Sequence, residues 1–141
     1  MTAREQLMAA ILAALGTTGA KVIRNAEVPT TVPAEGLVIL RDGEPGEPEV
    51  TLSPLSFTFT HAAQLEAYAQ ASAKTARTAT LDGLVSAIGT ALAADRTFGG
   101  LADWSMPGGP TITDHGSTGA QSIAAATIPL VCIYTVNDPL I

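Results

Sequence analysis

The chain has 141 residues, a length that predicts a single domain over 1–141. Its net charge is −6 at pH 7 with seven Lys plus Arg, which argues against a nucleic-acid-binding domain, and no apolar run reaches the length of about 18 residues that a membrane span needs. Charged residues make up 14% of the chain and mean hydropathy is +0.31, a balance that favours a surface partly covered by other subunits, with an alanine-rich monomer as the alternative.

The first predicted element is an amphipathic helix. Thr2 can cap it, with Glu5 three residues later as the reciprocal partner of a capping box. Gly16 and Gly19 follow where a helix would end. One face is apolar and consists of Leu7, Met8, Ile11, Leu12 and Leu15. After the helix, "KVIRN" predicts a short strand and "AEVPTTVPAEG" a proline-marked connection.

A β-hairpin is predicted next, from the strands "LVILRD" and "PEVTLS". Between them, Glu44-Pro45-Gly46-Glu47 fits a type II turn, because proline presets φ at the second position and glycine accepts the positive φ at the third. Pro48 cannot donate to a strand ladder, so its end of the second strand should be unpaired or at an edge. The prediction is a projecting hairpin with a stiff, acidic tip.

A long strand is predicted from Leu55 to about Gln70, because apolar residues alternate with polar ones. About fifteen residues at roughly 3.3 Å each exceed a typical strand, so we expect a bend or two strands near Ala62-Ala63. The alanine-rich stretch 61–73 leaves a helix open as the alternative there.

The second half of the chain predicts a helix, a loop and a closing strand. From Ala76 to Ala94, one stripe at helical spacing is apolar. "DRTFGGLADW" predicts a turn into a short strand, and the glycine-rich segment 107–119 predicts a loop that is mobile in the free subunit. "AATIPLVCIYTV" predicts a strand in the middle of a sheet or against a neighbouring subunit. The stripe of the helix consists of Leu81, Leu84, Val85, Ile88 and Leu92.

Together these elements predict an α+β fold. It has a mostly antiparallel β-sheet with a projecting β-hairpin, and two helices packed on one face of the sheet.

Residues with catalytic potential are few. Cys132 lies in an apolar strand and His61 on an apolar strand face, so both are predicted to be core residues. "TDHGS" places His115 beside Asp114, but adjacency in sequence does not make a triad. An acyl-transfer enzyme with Cys132 or Ser117 as nucleophile is the enzymatic alternative, and it lacks a G-x-S-x-G elbow. No catalytic residue, cofactor or metal site is predicted.

Four stretches in order resemble one protein family. They are the N-terminal helix before "VIRN", then "GLVILRDGEPGEPEVTLSP", "LDGLVSAIGTALAADRTFGGLADW" and "ATIPLVCIYTVNDPL". They are similar to the tail-terminator (tail-completion) proteins of long-tailed phages and gene transfer agents. The resemblance covers nearly the whole chain, and its most distinctive phrases, "LRDGEPGEPEVTLSP" and "DRTFGGLADW", carry no catalytic signature.

The resemblance implies a structural virion protein rather than an enzyme. Such proteins form a ring, typically of six copies, at the head-proximal end of the tail, assembled in the cytoplasm of the bacterial host. The partners it implies are the chain itself, the tail tube protein and the head or neck connector (stopper) protein, with DNA passing through the lumen without specific binding. Another connector or a tail tube subunit is the alternative within this class, and phage and gene transfer agent both stay open.

Two segments are predicted to contact other subunits or the tail tube. The hairpin segment 42–49 would be an arm with a preset backbone, and the segment 107–119 would become ordered on assembly. The predicted contact residues are Arg41, Asp42, Glu44, Pro45, Gly46, Glu47, Glu49, Asp114 and His115.

Overall fold

The computed structural model describes residues 1–114 and 122–141. In these residues the chain has the predicted α+β fold, with a mixed, mostly antiparallel seven-stranded sheet and two helices packed against it. In chain order the elements are α1 (Ala3–Leu15), a 3-10 turn (Gly16–Thr18), β1 (Lys21–Arg24), β2 (Leu37–Glu44), β3 (Glu49–Leu52), β4 (Leu55–Ala71), α2 (Lys74–Ala93), β5 (Trp104–Pro107), β6 (Thr111–Asp114) and β7 (Ser122–Val136).

Two long antiparallel strands form the centre of the sheet. β4 and β7 pair continuously from Phe57 opposite Val136 to Ala71 opposite Ser122. Each of them carries two short strands, one after the other, along its outer edge: β2 and β3 pair with β4, and β5 and β6 pair with β7. β1 extends the sheet beyond β2 in parallel. The predicted position of β7 in the middle of the sheet is therefore confirmed.

The main core lies between the helices and one face of the sheet. Alternate residues of β4 and β7 point into it, as strand geometry requires. On α1, Thr2 accepts the Glu5 N–H at 3.1 Å, which confirms the predicted cap. The reciprocal half of the capping box is wrong, because the Glu5 carboxylate binds Arg24 instead. The apolar stripes of both helices are buried, through Leu7, Met8, Ile11, Leu15, Leu81, Leu84, Ile88 and Leu92.

The predicted hairpin between β2 and β3 is wrong. These strands do not pair with each other but lie end to end along β4, with Glu44 opposite Ala62 and Glu49 opposite Thr58. The segment 45–48 is a break in this edge. Gly46 does have the positive φ that a type II turn requires, at 71°. A proline and a glycine that suit a tight turn suit an edge break equally, since both interrupt a ladder.

The prediction that the long strand splits into two strands near Ala62-Ala63 is also wrong, and the alternative of a bend there stays a prediction. β4 is one strand of 17 residues, and its helical alternative is excluded. The irregularity lies in the partner strand, where the register of β2 shifts between Arg41 and Glu44. The extra residue therefore lies in β2, as a β-bulge, and β4 stays continuous.

The predicted loop 107–119 is partly a strand. Thr111–Asp114 forms β6, which pairs with β7 from Thr111 opposite Thr127 to Asp114 opposite Ala124. The remaining part of the predicted loop that begins at His115 lies outside the described residues. Alternating Thr and Ile in "TIT" suits a strand, but the flanking glycines and prolines conceal this in so short a segment.

Candidate assembly surface

A β-hairpin projects from one end of the sheet. It consists of β3 and the start of β4, residues 49–58, and we call it the arm. Its tip is Ser53-Pro54, because Leu52 lies opposite Leu55. Residues 51–56 extend beyond the end of β7, whose last residue, Val136, lies opposite Phe57. The chain therefore has a projecting hairpin, but its tip lies several residues after the predicted one.

One face of the arm is apolar and exposed. Leu52 and Leu55 face each other across the two strands, and Val50 faces Phe57, so all four side chains share a face. This row continues the core-facing row of β4, in which Phe59 is buried. Exposure rises along this row toward the tip, from 6% at Phe59 to 50% at Leu55 and 81% at Leu52. The arm thus carries core-type residues outside the core.

A mostly apolar cavity of about 230 Å³ lies next to the arm, since it is lined by Phe59, which follows the arm in β4, and by Val136, which lies opposite Phe57. Pro45 from the edge break and Phe59 from β4 form one side of this cavity. The C-terminal residues Leu140 and Ile141 form another side, and both are largely exposed. Uncovered apolar surface thus extends from the arm to the C-terminus, which is typical of a surface that contacts another protein.

Asp42, in β2 before the edge break, is held by several hydrogen bonds. Its carboxylate accepts hydrogen bonds from Arg24 Nε and Nη2 at 2.7 and 2.6 Å, its backbone N–H donates to Asn25 at 3.0 Å, and its carbonyl accepts from buried His61 Nε2. Arg24 also binds both Glu5 oxygens. The Arg24 hydrogen bonds lower the pKa of Asp42 and of Glu5. All the polar groups of Asp42 are therefore engaged before the arm begins.

A second ion pair lies on the helix-free face of the sheet. Arg41 Nε and Nη2 donate to the Glu66 oxygens at 3.0 and 3.2 Å, and the Tyr68 hydroxyl donates to Glu66 Oε1 at 2.6 Å. Burial raises the pKa of Glu66, but the hydrogen bonds from Arg41 and Tyr68 outweigh it, so the net shift is downward. Burial and the Glu66 carboxylate raise the pKa of Tyr68 to about 12.

The predicted contact residues divide into two groups. Arg41 and Asp42 are held in these internal ion pairs, and Asp114 pairs with buried Arg77 at 3.1 Å. Glu44, Gly46, Glu47 and Glu49 are exposed, and Pro45 is half-buried. His115 lies outside the described residues. A role of these residues in subunit contacts stays a prediction.

The sequence reasoning missed the aliphatic residues of the arm. Val50, Leu52 and Leu55 lie next to the predicted turn but were assigned to strands with no role in contacts. A usable signal is present, because 50–60 contains no charged residue although the preceding acidic stretch is dense in them. The tip of the hairpin is Ser53-Pro54, which follows the predicted acidic tip in the sequence.

An apolar groove lies at the opposite edge of the sheet, between α2 and the β5–β6 edge. It consists of two adjoining cavities of about 100 and 140 Å³ that share Val85 and Pro110. Ile112 of β6, 60% exposed, lies at its open side. We call it the α2 groove, and its main apolar lining residues are Leu81, Val85, Ile88, Leu92, Pro107, Pro110, Ile112 and Ile128.

Cys132 and His61 lie in the core, whereas Ser117 lies outside the described residues. Cys132 is fully buried, and burial raises the pKa of its thiol to about 11, so a thiolate nucleophile is disfavoured. His61 is fully buried and hydrogen-bonded, as predicted. Within 1–114 and 122–141, no three His, Cys, Asp or Glu side chains are grouped to hold a metal ion. Neither described helix is long and apolar enough to cross a membrane.

Comparisons with known protein families and with curated proteins found no match to this chain.

Proposed function

We propose that this chain is a ring-forming tail terminator. Copies of it would close into a ring, typically of six, on the end of the tail tube, where they stop tube polymerisation and form the joint to the head or neck. The proposal combines the sequence resemblance with a fold that carries exposed apolar surface at both edges of its sheet.

The observation that supports this proposal most is the arm. It presents Val50, Leu52 and Leu55 to solvent on one face, where the chain itself covers none of them fully. A monomer gains nothing from three such side chains at the tip of a hairpin, whereas a subunit that contacts a neighbour or the tube buries them. Pairing of β3 with β4 from Glu49 opposite Thr58 to Leu52 opposite Leu55 holds the arm in one conformation, which reduces the ordering cost of that contact.

A charge on the apolar face of the arm tests the proposal. We expect Leu52→Asp to abolish ring formation and to give particles with overlong tails that lack heads, because the carboxylate would have to be desolvated in the contact. Thr51→Asp is the matched control, since Thr51 is exposed on the other face of the same strand. The measurements are sedimentation of the purified chain and electron microscopy of tails. Normal assembly with Leu52→Asp would contradict the role of the arm.

The place of the protein in the particle separates a terminator from a tail tube subunit. We expect gold-labelled antibody against this chain to mark one position per particle, at the head-proximal end of the tail. A tube subunit would instead be labelled along the whole tail. Absence of the chain from purified tails would contradict both roles.

A further inference from the structure

The arm and the α2 groove lie on opposite edges of the same sheet. The strand order is β1-β2-β4-β7-β5, with β3 of the arm on the outer side of β4 and β6 of the groove on the outer side of β7. A projection at one edge and a recess at the other allow identical copies to bind head to tail. Such heterologous contacts close into a ring when the rotation between copies permits it.

The two surfaces match in their chemistry. The arm offers a row of aliphatic side chains, and the groove is lined mostly by aliphatic residues and prolines. The groove also has free space along α2, since a Cβ added at Gly89 would meet nothing within 4 Å. Side chains of the arm can therefore enter without displacing the helix.

Charge favours a second copy of this chain as the occupant. Copies with a net charge of −6 repel each other, so they meet most readily where acidic groups are absent or neutralised. The arm has no ionisable side chain within 50–60, and of the two carboxylates that line the groove, that of Asp114 is paired with Arg77, which leaves the exposed Asp82 at the α2 side. Exposed Lys74 lies one helical turn from Thr78 of the groove and can attract the exposed Glu47 and Glu49 at the arm base.

We propose that the arm of one copy inserts into the α2 groove of the next copy, with Leu52 and Leu55 as its anchors. This inference rests on the self-association that the proposed function requires, and it adds which two surfaces meet. The tail tube is then contacted by other parts of the chain.

Site-directed cross-linking tests the pairing of the two surfaces. Differently tagged Leu52→Cys and Val85→Cys chains are mixed and oxidised, and we expect a disulfide-linked dimer with one chain of each kind. The native Cys132 is fully buried and does not interfere. Thr51→Cys, on the other arm face, replaces Leu52→Cys in the control and should give little cross-link. Cross-linking of Leu52→Cys only with itself, or only with the tube protein in assembled tails, would overturn the inference.

Filling the groove gives an independent test. We expect Gly89→Phe to weaken self-association about tenfold or more, because the phenyl group would occupy the space in the groove that the arm side chains need. Gly83→Phe is the matched control, since Gly83 is also on α2 with open space around its Cβ but lies outside the groove lining. Unchanged rings with Gly89→Phe would overturn the inference and leave the proposed function intact. A wild-type chain that stays monomeric at high concentration and is absent from tails would instead reject the proposed function itself.

Discussion

At the scale of single residues, β2 lies close against β4 at Gly43. A Cβ added there would lie 1.8 Å from the carbonyl oxygen of Ala62, and the φ of Gly43 is +64°. Gly46, three residues further along, has a similar φ of +71°, but an added Cβ would meet only Thr60 O, at 3.9 Å. The two glycines thus share a backbone conformation and differ in the space around them.

This difference predicts two unequal alanine substitutions. Gly46→Ala should lower the free energy of unfolding by about 1 kcal/mol, the cost of a left-handed backbone for alanine. Gly43→Ala adds a steric clash with the backbone of β4 and should cost about 3 kcal/mol or more. Urea unfolding of the two variants measures both values. Equal losses would show that β2 does not approach β4 as described.

The Asp42 carboxylate predicts a second loss of stability. Asp42→Asn keeps the size of the side chain but removes the charge that Arg24 binds, so we expect the free energy of unfolding to fall by about 2 kcal/mol. Asp82→Asn, at an exposed position on α2, is the control and should change it by about 0.5 kcal/mol or less. A similar effect of both variants would contradict a stabilising contribution of the ion pair between Arg24 and Asp42.

The same carboxylates predict the pH dependence of stability. The folded-state pKa values of Asp42 and Glu66 lie below their ordinary values of 3.8 and 4.5. Their contribution is therefore complete above those ordinary values and is lost as the pH falls through the lower folded-state values. We expect the free energy of unfolding to decrease below about pH 4, and Asp42→Asn to make that decrease smaller. An unchanged slope in the variant would contradict this assignment.

At the scale of elements, Arg77 joins three parts of the chain. It is 4% exposed and donates from Nη1 to the carbonyls of Ala71 and Ser72, at the junction of β4 and α2, and from Nε to Asp114 of β6. The Arg77 guanidinium therefore links β6, which forms one side of the α2 groove, to the junction of β4 and α2.

This connection predicts a specific effect of Arg77→Lys. An ammonium group cannot make the forked contacts of a guanidinium, so we expect a loss of about 2 kcal/mol in the free energy of unfolding and faster amide exchange in β6. Lys74→Met, at the exposed start of α2, serves as the control and should leave amide exchange in β6 unchanged. If β6 exchanges equally slowly in Arg77→Lys, the strand is held by β7 alone.

Most elements were predictable from the sequence, with β6 as an exception, but the pairing of the short strands was not. Both helices follow from apolar spacing, and β7 follows from a segment that is apolar on both faces. The Pro45-Gly46 pair gives the same local signal for a turn and for a break in an edge strand, and only the choice of β4 as a shared partner distinguishes them. The arm was missed for the same reason, because Ser53-Pro54 is its tip only if β3 pairs with β4.

At the scale of the whole molecule, charge and apolar surface are separated. Three of the seven cationic side chains, those of Arg24, Arg41 and Arg77, are held in ion pairs within the subunit. Many carboxylates stay exposed, including those of Glu47 and Glu49. In the proposed ring, exposed carboxylates at the lumen would repel DNA phosphates and would not retain DNA there.

This separation predicts how salt affects self-association. If copies meet through apolar surfaces while their net charges repel, raising the salt from about 0.05 to about 0.5 M should leave the association unchanged or strengthen it, because salt screens the repulsion. Sedimentation velocity at the two salt concentrations measures this. Dissociation at the higher concentration would mean that ion pairs hold the copies together.

Prolines interrupt the rows of short strands on both sides of the long strands, with Pro45 and Pro48 beside β4 and Pro107 and Pro110 beside β7. A proline has no N–H to offer an incoming strand, and the short strands beside it provide only a few free backbone groups. These two rows are therefore poor templates for the stacking of strand upon strand that produces fibrils. In the proposed function, this property would favour assemblies of limited size over open fibrils.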